Sequence, residues 1–404
     1  MTRKRNCKAK GSQVSKRQSA DAVIIGGGAV GTACAYYLAM SGMKVTLIEQ
    51  DQIGAGASTC ATGVMYCLAA DINDAEYLRW GMVAHDVMKG IVPVIEDLSG
   101  VTTQYQRRPA FRLAIDDEEE KEVREDLVWQ SEVIGTRWVD SEDVRQIEPR
   151  ITPEVRGAAL EAEVIQVPPP RLSHAFMRSA ERYGATLIPT QAVGLARTGG
   201  RVVGVHHRQG TIACDTVVLA MGASAGTASD WIDYRVPVRP LRGERLMLTY
   251  PGRPLDMILS TPRRGHLLSR LDGFLSVGST GGRDFDDREK WIVDQQSAVE
   301  QPHPEPSPAA RTELLRRATE VIPSIEFATV SQHITGIRPY SEDGRPIIGA
   351  VPGCEGAFLA TGHTHRGIHL SAMTGELIRD LVVHGGSLQA SCDPKLFDPA
   401  RFTS

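Results

Sequence analysis

The chain has 404 residues, of which 42% are hydrophobic and 23% are charged, and its formal net charge is −4. This length exceeds what a single hydrophobic core usually holds, so we expect two domains of an ordinary globular protein. The slightly acidic balance argues against a nucleic-acid partner, and no apolar run reaches the roughly 18 residues that a membrane helix needs.

The first 19 residues contain basic side chains and no acidic one. No apolar segment follows them, so they do not match a secretion signal, and we interpret residues 1–19 as a disordered basic tail. The cysteines form an odd, widely spaced set without a Cys-x-x-Cys pair or a histidine cluster at zinc spacing. We therefore expect reduced thiols, a cytoplasmic protein and no metal site.

Residues 21–49 predict a strand, a tight turn, a helix and a second strand. Residues 23–25 and 45–48 are short apolar runs, and apolar residues between them recur at helical spacing. Gly42 stands where a left-handed residue would end the helix. The predicted unit is a parallel βαβ.

The turn of this unit contains a glycine motif with three separate physical roles. Gly26 permits the tight turn, Gly28 lets the backbone approach a pyrophosphate, and Gly31 lets the helix lie close to the strand. Glu49 ends the second strand, where an acidic side chain can bind a ribose hydroxyl. The pattern favours a bound dinucleotide over the alternative of a glycine-rich turn without a ligand.

Residues 50–64 form a long run of small residues and predict a loop that leads into a helix. A dehydrogenase that binds NAD would normally pass directly into the next helix. A loop of this kind suits a backbone that wraps around a larger cofactor, which is the first indication of FAD. An ordinary surface loop is the alternative.

The middle of the chain changes from helical to β patterns. Residues 76–98 predict a long helix in which Pro93 should kink or interrupt the last turn. Residues 217–221 predict a buried parallel strand that ends at Gly222, close to the same nucleotide as Gly26. The short apolar runs of residues 236–279 predict an antiparallel sheet that forms a substrate domain.

The last third contains two further candidate loops. Residues 336–339 form a Gly-Ile-Arg-Pro box, and residues 362–367 form a glycine-bounded loop between a strand and the helix 368–383. That helix start is a second place where negative charge would be stabilised.

These segments occur in the order typical of one known family. The motif of residues 26–31 with Glu49, the loop 57–64, the strand and turn 217–224, the box 336–339 and the loop 362–368 together resemble the D-amino-acid-oxidase-like FAD oxidoreductases. Within that family the chain is most similar to glycine oxidase and to the flavin-bearing β subunits of opine oxidase and hydrogen cyanide synthase. The resemblance covers the chain from about residue 21 to residue 402.

The resemblance implies an α/β (α+β) fold with two domains. A Rossmann-like, doubly wound FAD-binding domain would comprise residues 20–78, 162–228 and 330–392. A substrate domain with an antiparallel sheet would comprise residues 79–161 and 229–329, and residues 393–404 would form a C-terminal tail.

The glycine motifs and the resemblance together give a set of expected FAD contacts, in which the loop around His363 covers the isoalloxazine ring. The set is Gly26, Gly28, Ala29, Val30, Gly31, Glu49, Gln50, Ala57, Ser58, Thr62, Gly63, Val64, Val193, Gly222, Arg338, Gly362, His363, Thr364, His365, Arg366, Gly367, Ile368 and His369.

The resemblance also implies the substrate site. Arg338 would bind the carboxylate of an amino acid with both ends of its guanidinium, and a structural arginine paired with an acid is the alternative. His266 stands where glycine oxidase has a tyrosine, His365 stands where it has a second arginine, and Gly281-Gly282 replaces bulkier residues. We take His266 and His365 as candidate catalytic residues that suit a bulkier or differently charged amine than glycine. A structural or flavin-contacting role for both histidines is the alternative.

The implied reaction is oxidation of the C–N bond of an amino acid or secondary amine by hydride transfer to flavin N5, followed by hydrolysis of the imine. Oxygen or another carrier would accept the electrons, and the protein could form a homo- or hetero-oligomer. Two alternatives stay open: an FAD-bearing subunit that is active only within a heteromeric dehydrogenase, and an NAD-linked dehydrogenase.

Overall fold

The structure is a computed structural model that describes residues 18–66, 75–281, 287–388 and 393–403. Most of the predicted basic tail, three of the cysteines and Gly282 therefore lie outside the described residues. No helix in the described ranges is long and apolar enough to cross a membrane.

The first layer is a six-stranded sheet that contains the predicted βαβ unit. Its strands run β17-β18-β11-β1-β2-β7 across the sheet and are parallel except for β17. In chain order they are β1 (Ala22–Ile25), β2 (Val45–Glu49), β7 (Thr186–Pro189), β11 (Thr216–Leu219), β17 (Ile347–Ala350) and β18 (Ala357–Thr361). The doubly wound arrangement is confirmed.

The second layer is a nine-stranded sheet that runs β16-β12-β15-β14-β13-β4-β6-β3, with β5 paired to β6. Its strands are β3 (Val64–Met65), β4 (Gln106–Ala114), β5 (Arg137–Asp140), β6 (Gly157–Gln166), β12 (Val238–Thr249), β13 (Ile258–Thr261), β14 (Gly265–Ser269), β15 (Leu275–Gly278) and β16 (Thr329–Ser341). The predicted antiparallel sheet is present, although β13 and β4 pair in parallel. A small antiparallel sheet contains β8 (Ala192–Thr198), β9 (Arg201–His207) and β10 (Gly210–Ala213).

Ten helices connect these strands in the described ranges. They are α1 (Ala29–Met40), α2 (Ala57–Cys60), α3 (Ala75–Ser99), α4 (Asp117–Ile134), α5 (Ser141–Ile147), α6 (Pro169–Arg182), α7 (Ser229–Ile232), α8 (Gln295–Glu300), α9 (Pro308–Val321) and α10 (Gly367–His384).

The six-stranded sheet is buried on both faces because its side chains alternate between two cores. Ala22 and Ile24 belong to the core that contains α1, α3, α6 and α10, whereas Val23 and Ile25 belong to the core that contains Val205 of the small sheet. A sheet that is covered on both faces explains why residues 23–25 read as a continuous apolar run.

The glycines of the first turn are required by close backbone contacts. Gly26 has φ +110°, and a Cβ atom there would lie 2.3 Å from the carbonyl oxygen of Ala220. A Cβ atom on Gly31 would lie 1.9 Å from the carbonyl oxygen of Gly26, so only glycine lets α1 cross this close to β1. Gly42 has φ +87°, which agrees with its expected position at the end of the helix.

Two predictions of local structure were wrong in part. Helix α3 continues through Pro93 to Ser99 without interruption, because the buried Val92 and Ile95 hold its last turns against the core. The loop 50–64 contains the short helix α2, which begins directly after Gly56, a residue with φ +59°.

The predicted domain boundaries remain predictions. Helix α3 packs with α6 and α10 over the six-stranded sheet, although most of it falls in the predicted substrate segment 79–161. Strand β16 falls in the predicted FAD-binding segment but pairs along its length with β12 of the nine-stranded sheet. The two sheets therefore share elements on both sides of the boundaries at residues 78 and 330.

Candidate functional site

A cavity of about 760 Å³ lies between the six-stranded and nine-stranded sheets, a volume within the range of cofactor sites. It extends from the carboxyl end of β2 to the loop before α10. Many of the residues singled out from the sequence line it: Gly26, Gly28, Ala29, Val30, Glu49, Gln50, Ala57, Ser58, Thr62, Gly63, Val64, Val193, Gly222, His266, Gly281, Arg338, His363, Thr364, His365, Gly367 and Ile368.

Four of the expected contacts lie beside the cavity instead of lining it. Gly31 serves the packing of α1, and a Cβ atom on Gly362 would press against Ile347 and Ser341. The guanidinium of Arg366 lies over the ring of Tyr77, and the imidazole of His369 packs edge-on against His85. The structure thus shows what these four residues touch, and their role as FAD contacts stays a prediction.

One end of the cavity has the features of a dinucleotide site. The glycine turn and the first residues of α1 line it, and the amides at a helix start have no partner within the helix. A Cβ atom on Gly28 would meet only the hydroxyl of Ser58, at 3.3 Å, so its backbone faces open space. Ser58 also accepts a hydrogen bond from the amide of Ala29 at 3.1 Å, which joins α2 to the start of α1.

Glu49 is fixed at the same end. Its carboxylate accepts hydrogen bonds from the amide of Gly27 at 2.6 Å and from the amide of Asp51 at 2.8 Å, while still lining the cavity. An acid held in this place can accept bonds from ribose hydroxyls. The donors, the acid and the open glycine backbone fit the adenosine and pyrophosphate of FAD.

The other end is closed by the loop before α10. Thr364 has φ +52°, a conformation that side chains rarely adopt, and its amide donates to the carbonyl of Pro339 at 2.8 Å. The imidazole of His363 is buried and bonds to the hydroxyl of Thr374 at 2.9 Å, and burial lowers its pKa to about 3. The loop is thus tied to β16, and α10 starts there with its positive end at the cavity.

Arg338 projects from β16 beside this loop. Its guanidinium donates to the carbonyl oxygen of Thr280 at 3.1 Å and to the hydroxyl of Ser279 at 2.9 Å. A Cβ atom on Gly243 would lie 2.0 Å from Nη1 of Arg338, so the glycine on β12 makes the room that the guanidinium occupies.

The two candidate histidines differ in their surroundings. His266 bonds through Nε2 to the hydroxyl of Thr62 at 2.9 Å, and burial together with the guanidinium groups of Arg245 and Arg338 lowers its pKa to about 3. Its imidazole is therefore neutral at physiological pH. His365 is exposed at the cavity.

Several residues that line the cavity were not predicted as site residues from the sequence, among them Cys60, Gly243, Arg245 and Ser279. Arg245 differs from the other three because it carries a buried positive charge. The alternation along β12 was the available signal, since Gly243 and Arg245 share a face of the strand while Glu244 points to the opposite face. Which of the two faces of β12 lines the cavity can be identified only when its pairing with β15 and β16 is known.

Comparison with known proteins gives consistent matches. The family "DAO: FAD dependent oxidoreductase" matches residues 21–381. Glycine oxidase of Bacillus licheniformis is 26% identical over 91% of this chain and 94% of its own length, and hydrogen cyanide synthase subunit HcnC of Pseudomonas aeruginosa is 27% identical over 95% and 96%. The crystal structure of glycine oxidase from Geobacillus kaustophilus superimposes with a TM-score of 0.85 and 25% identity, over 95% of this chain and 99% of that one.

Proposed function

Because the chain belongs to the DAO family of FAD-dependent oxidoreductases, we propose that it oxidises the C–N bond of an amino acid or a secondary amine. The observation that carries the proposal is the guanidinium of Arg338, which lines the cavity next to the loop 362–367. The similarity to proteins named glycine oxidase supports an amine that bears a carboxylate.

FAD would be held by the glycine turn, by Glu49, by the loop around Ser58 and Thr62, and by the loop before α10. When bound, it supplies the two-electron acceptor for the oxidation. The start of α10 directs the positive end of the helix dipole at the same end of the cavity, where it stabilises negative charge.

Arg338 would bind and orient the substrate carboxylate through paired charge-assisted hydrogen bonds. The clamp and the loop are held together, since the residue after Arg338 accepts the amide hydrogen bond of Thr364. A fixed geometry between substrate and acceptor accounts for much of the rate in such reactions, up to about 7–11 kcal/mol of the barrier.

The charges around the site favour a neutral amine over an ammonium ion. Arg245 and Arg338 both line the cavity, and a nearby positive charge disfavours a second one. An imidazole with a pKa of about 3 is a weak proton acceptor, so we assign His266 to hydrogen bonding and to shaping the pocket rather than to removal of the amine proton. His365 remains our candidate for assisting deprotonation, because it is exposed at the cavity.

Anaerobic reduction of the bound flavin by a panel of amino acids, N-methyl amines and opines tests the proposal. We expect loss of the yellow colour with one class of carboxylate-bearing amine. A correctly folded, FAD-loaded protein that stays oxidised with every amine in the panel would contradict it.

The similarity to hydrogen cyanide synthase subunit HcnC favours a second candidate, an FAD-bearing subunit that works only with partner chains. Size-exclusion chromatography of the chain expressed alone, combined with an artificial-dye assay and an oxygen-consumption assay, separates the candidates. Turnover by the isolated chain supports a self-sufficient enzyme, and the assay that responds identifies oxygen or a carrier as the acceptor. A cytoplasmic location stays a prediction.

A further inference from the structure

Arg245 is a buried cation that lines the cavity, as Arg338 does. Only 6% of the residue is exposed, and the guanidinium donates to the carbonyl oxygen of Cys60 at 2.7 Å, to the sulfur of Met247 at 2.7 Å and to the hydroxyl of Ser276 at 3.3 Å. All three partners are neutral, since a backbone carbonyl, a thioether and a hydroxyl do not ionise at physiological pH.

No carboxylate among the described residues forms an ion pair with Arg245. The adjacent Glu244 lies on the opposite face of β12, where it pairs with Arg242 at 2.8 Å and with His333 at 2.8 Å. Three acids line the cavity: Glu244, whose carboxylate is already paired with Arg242 and His333, and Glu49 and Asp51, which are at the dinucleotide end. A buried charge with only neutral partners is costly, so an anion bound beside it would be strongly favoured.

The pairing of the strands places Arg245 next to the carboxylate clamp. Arg245 pairs with Gly278 of β15, which in turn pairs with His266 of β14, so these residues share one face of the sheet. A Cβ atom on Gly278 would lie 3.1 Å from the Cβ atom of Arg245 and 3.0 Å from the imidazole of His266, so the glycine lets the two side chains approach.

The guanidinium of Arg338 lies on the same face, over Gly243. Gly243 and Arg245 are two residues apart on one strand, so their backbones are about 7 Å apart. Two guanidinium groups on the same face of the sheet can each bind one carboxylate of a single small amine.

We propose that Arg245 is a second anion-binding residue of the substrate pocket, and that the substrate is an amine with two carboxylates. Arg338 binds the carboxylate of the carbon that is oxidised, and Arg245 binds the other. The second carboxylate is attached either through the nitrogen, as in an N-carboxyalkyl amino acid, or through the side chain, as in an acidic amino acid. This inference rests on the proposed function.

Unreactive analogues test the proposal without turnover. Diglycolate and methoxyacetate carry an ether oxygen in place of the amine and differ by one carboxylate, and glutarate and butyrate form the matching pair for attachment through carbon. Dissociation constants are measured by titration calorimetry on the FAD-loaded protein, for the wild type and for Arg245→Met, Arg245→Lys and Arg270→Met. Arg270 is the matched control because it donates to Asp272 at 2.9 Å and does not line the cavity.

We expect the wild type to bind at least one dicarboxylate about tenfold or more tightly than its monocarboxylate partner, as for a charge-assisted hydrogen bond. Arg245→Met should reduce that preference to about twofold or less, because it weakens binding of the dicarboxylate more than binding of the monocarboxylate. Arg245→Lys should keep part of the preference, and Arg270→Met should keep all of it. The pair that shows the preference identifies how the second carboxylate is attached.

A wild type without any preference would overturn the proposal, and so would an Arg245→Met variant that weakens both members of a pair equally. If both Arg245 variants lose FAD, the role of Arg245 is instead to hold the loop that contains Cys60 in place. Reduction of the flavin by monocarboxylate amines alone would overturn this inference and leave the proposed function intact. A flavin that no amine reduces would count against the proposed function itself.

Discussion

Arg338 is the single residue on which the substrate assignment depends most. Arg338→Ala removes the guanidinium that faces the cavity and should raise the KM for a carboxylate-bearing amine by about 10- to 100-fold, the worth of one or two charge-assisted hydrogen bonds. Arg338→Lys should lose less, because a lysine keeps the charge but not the paired geometry. Steady-state kinetics of the three proteins check this, and unchanged kinetics in Arg338→Ala would remove the clamp from the mechanism.

His363 makes a prediction about stability against pH. Its pKa is about 3 in the folded protein and about 6.5 when unfolded, so the unfolded state binds more protons below pH 6.5. The stability that depends on a neutral His363 is complete above pH 6.5 and is lost as the pH falls toward 3. Between pH 7.5 and pH 5 the loss should be about 2 kcal/mol.

Urea unfolding of the wild type and of His363→Gln at these two pH values measures that loss. The glutamine can still bond to Thr374 but does not titrate, so the variant should gain about 2 kcal/mol relative to the wild type on acidification. An identical pH dependence for both proteins would show that His363 does not carry the effect.

The sequence predicted cavity-lining residues whose positions are set locally, and it missed those whose positions depend on strand pairing. Gly26, Gly28 and Glu49 belong to one short unit, so their spacing was sufficient. Arg245 could not be assigned because the cavity face of β12 is defined by strands more than thirty residues away. His369 was expected at the ring, but the turn of α10 directs it toward His85.

At the scale of the elements, the crossing of α1 over β1 positions the glycine turn at the dinucleotide end of the cavity. Gly31→Ala would force a Cβ atom against the carbonyl of Gly26, so α1 must move away from the sheet. We expect a loss of about 1–3 kcal/mol in the free energy of unfolding and weaker FAD binding, by about tenfold or more.

Gly90→Ala is the matched control for this substitution. Gly90 is exposed on α3, and a Cβ atom there would meet no atom within 4 Å. Alanine should therefore stabilise that helix by up to about 1 kcal/mol and leave FAD affinity unchanged. Urea unfolding and FAD titration of both variants test this prediction. Equal changes in stability and in FAD affinity at the two positions would contradict the close crossing of α1 over β1.

The elements themselves were largely predictable, because periodicity and turn residues report local structure. Pro93 was the exception that tertiary packing explains, since the buried face of α3 outweighs one lost backbone hydrogen bond. The arrangement of nine strands in one sheet was beyond prediction from periodicity, because short apolar runs do not state their partners.

At the scale of the whole molecule, the cavity is built from segments distant in the chain. The glycine turn and Glu49 lie at one end, Arg338 and the loop 362–367 lie at the other, and the two sheets form the walls. A long cavity with an acid at one end and a helix start at each end suits an extended dinucleotide rather than a single nucleotide.

Titration of the FAD-free protein with FAD and with FMN tests this arrangement most directly, because FMN lacks the adenosine monophosphate half that the glycine turn and Glu49 would hold. We expect one FAD per chain and an affinity for FMN that is at least about a hundredfold lower. A folded protein that refuses FAD, or that binds FMN as tightly as FAD, would contradict it.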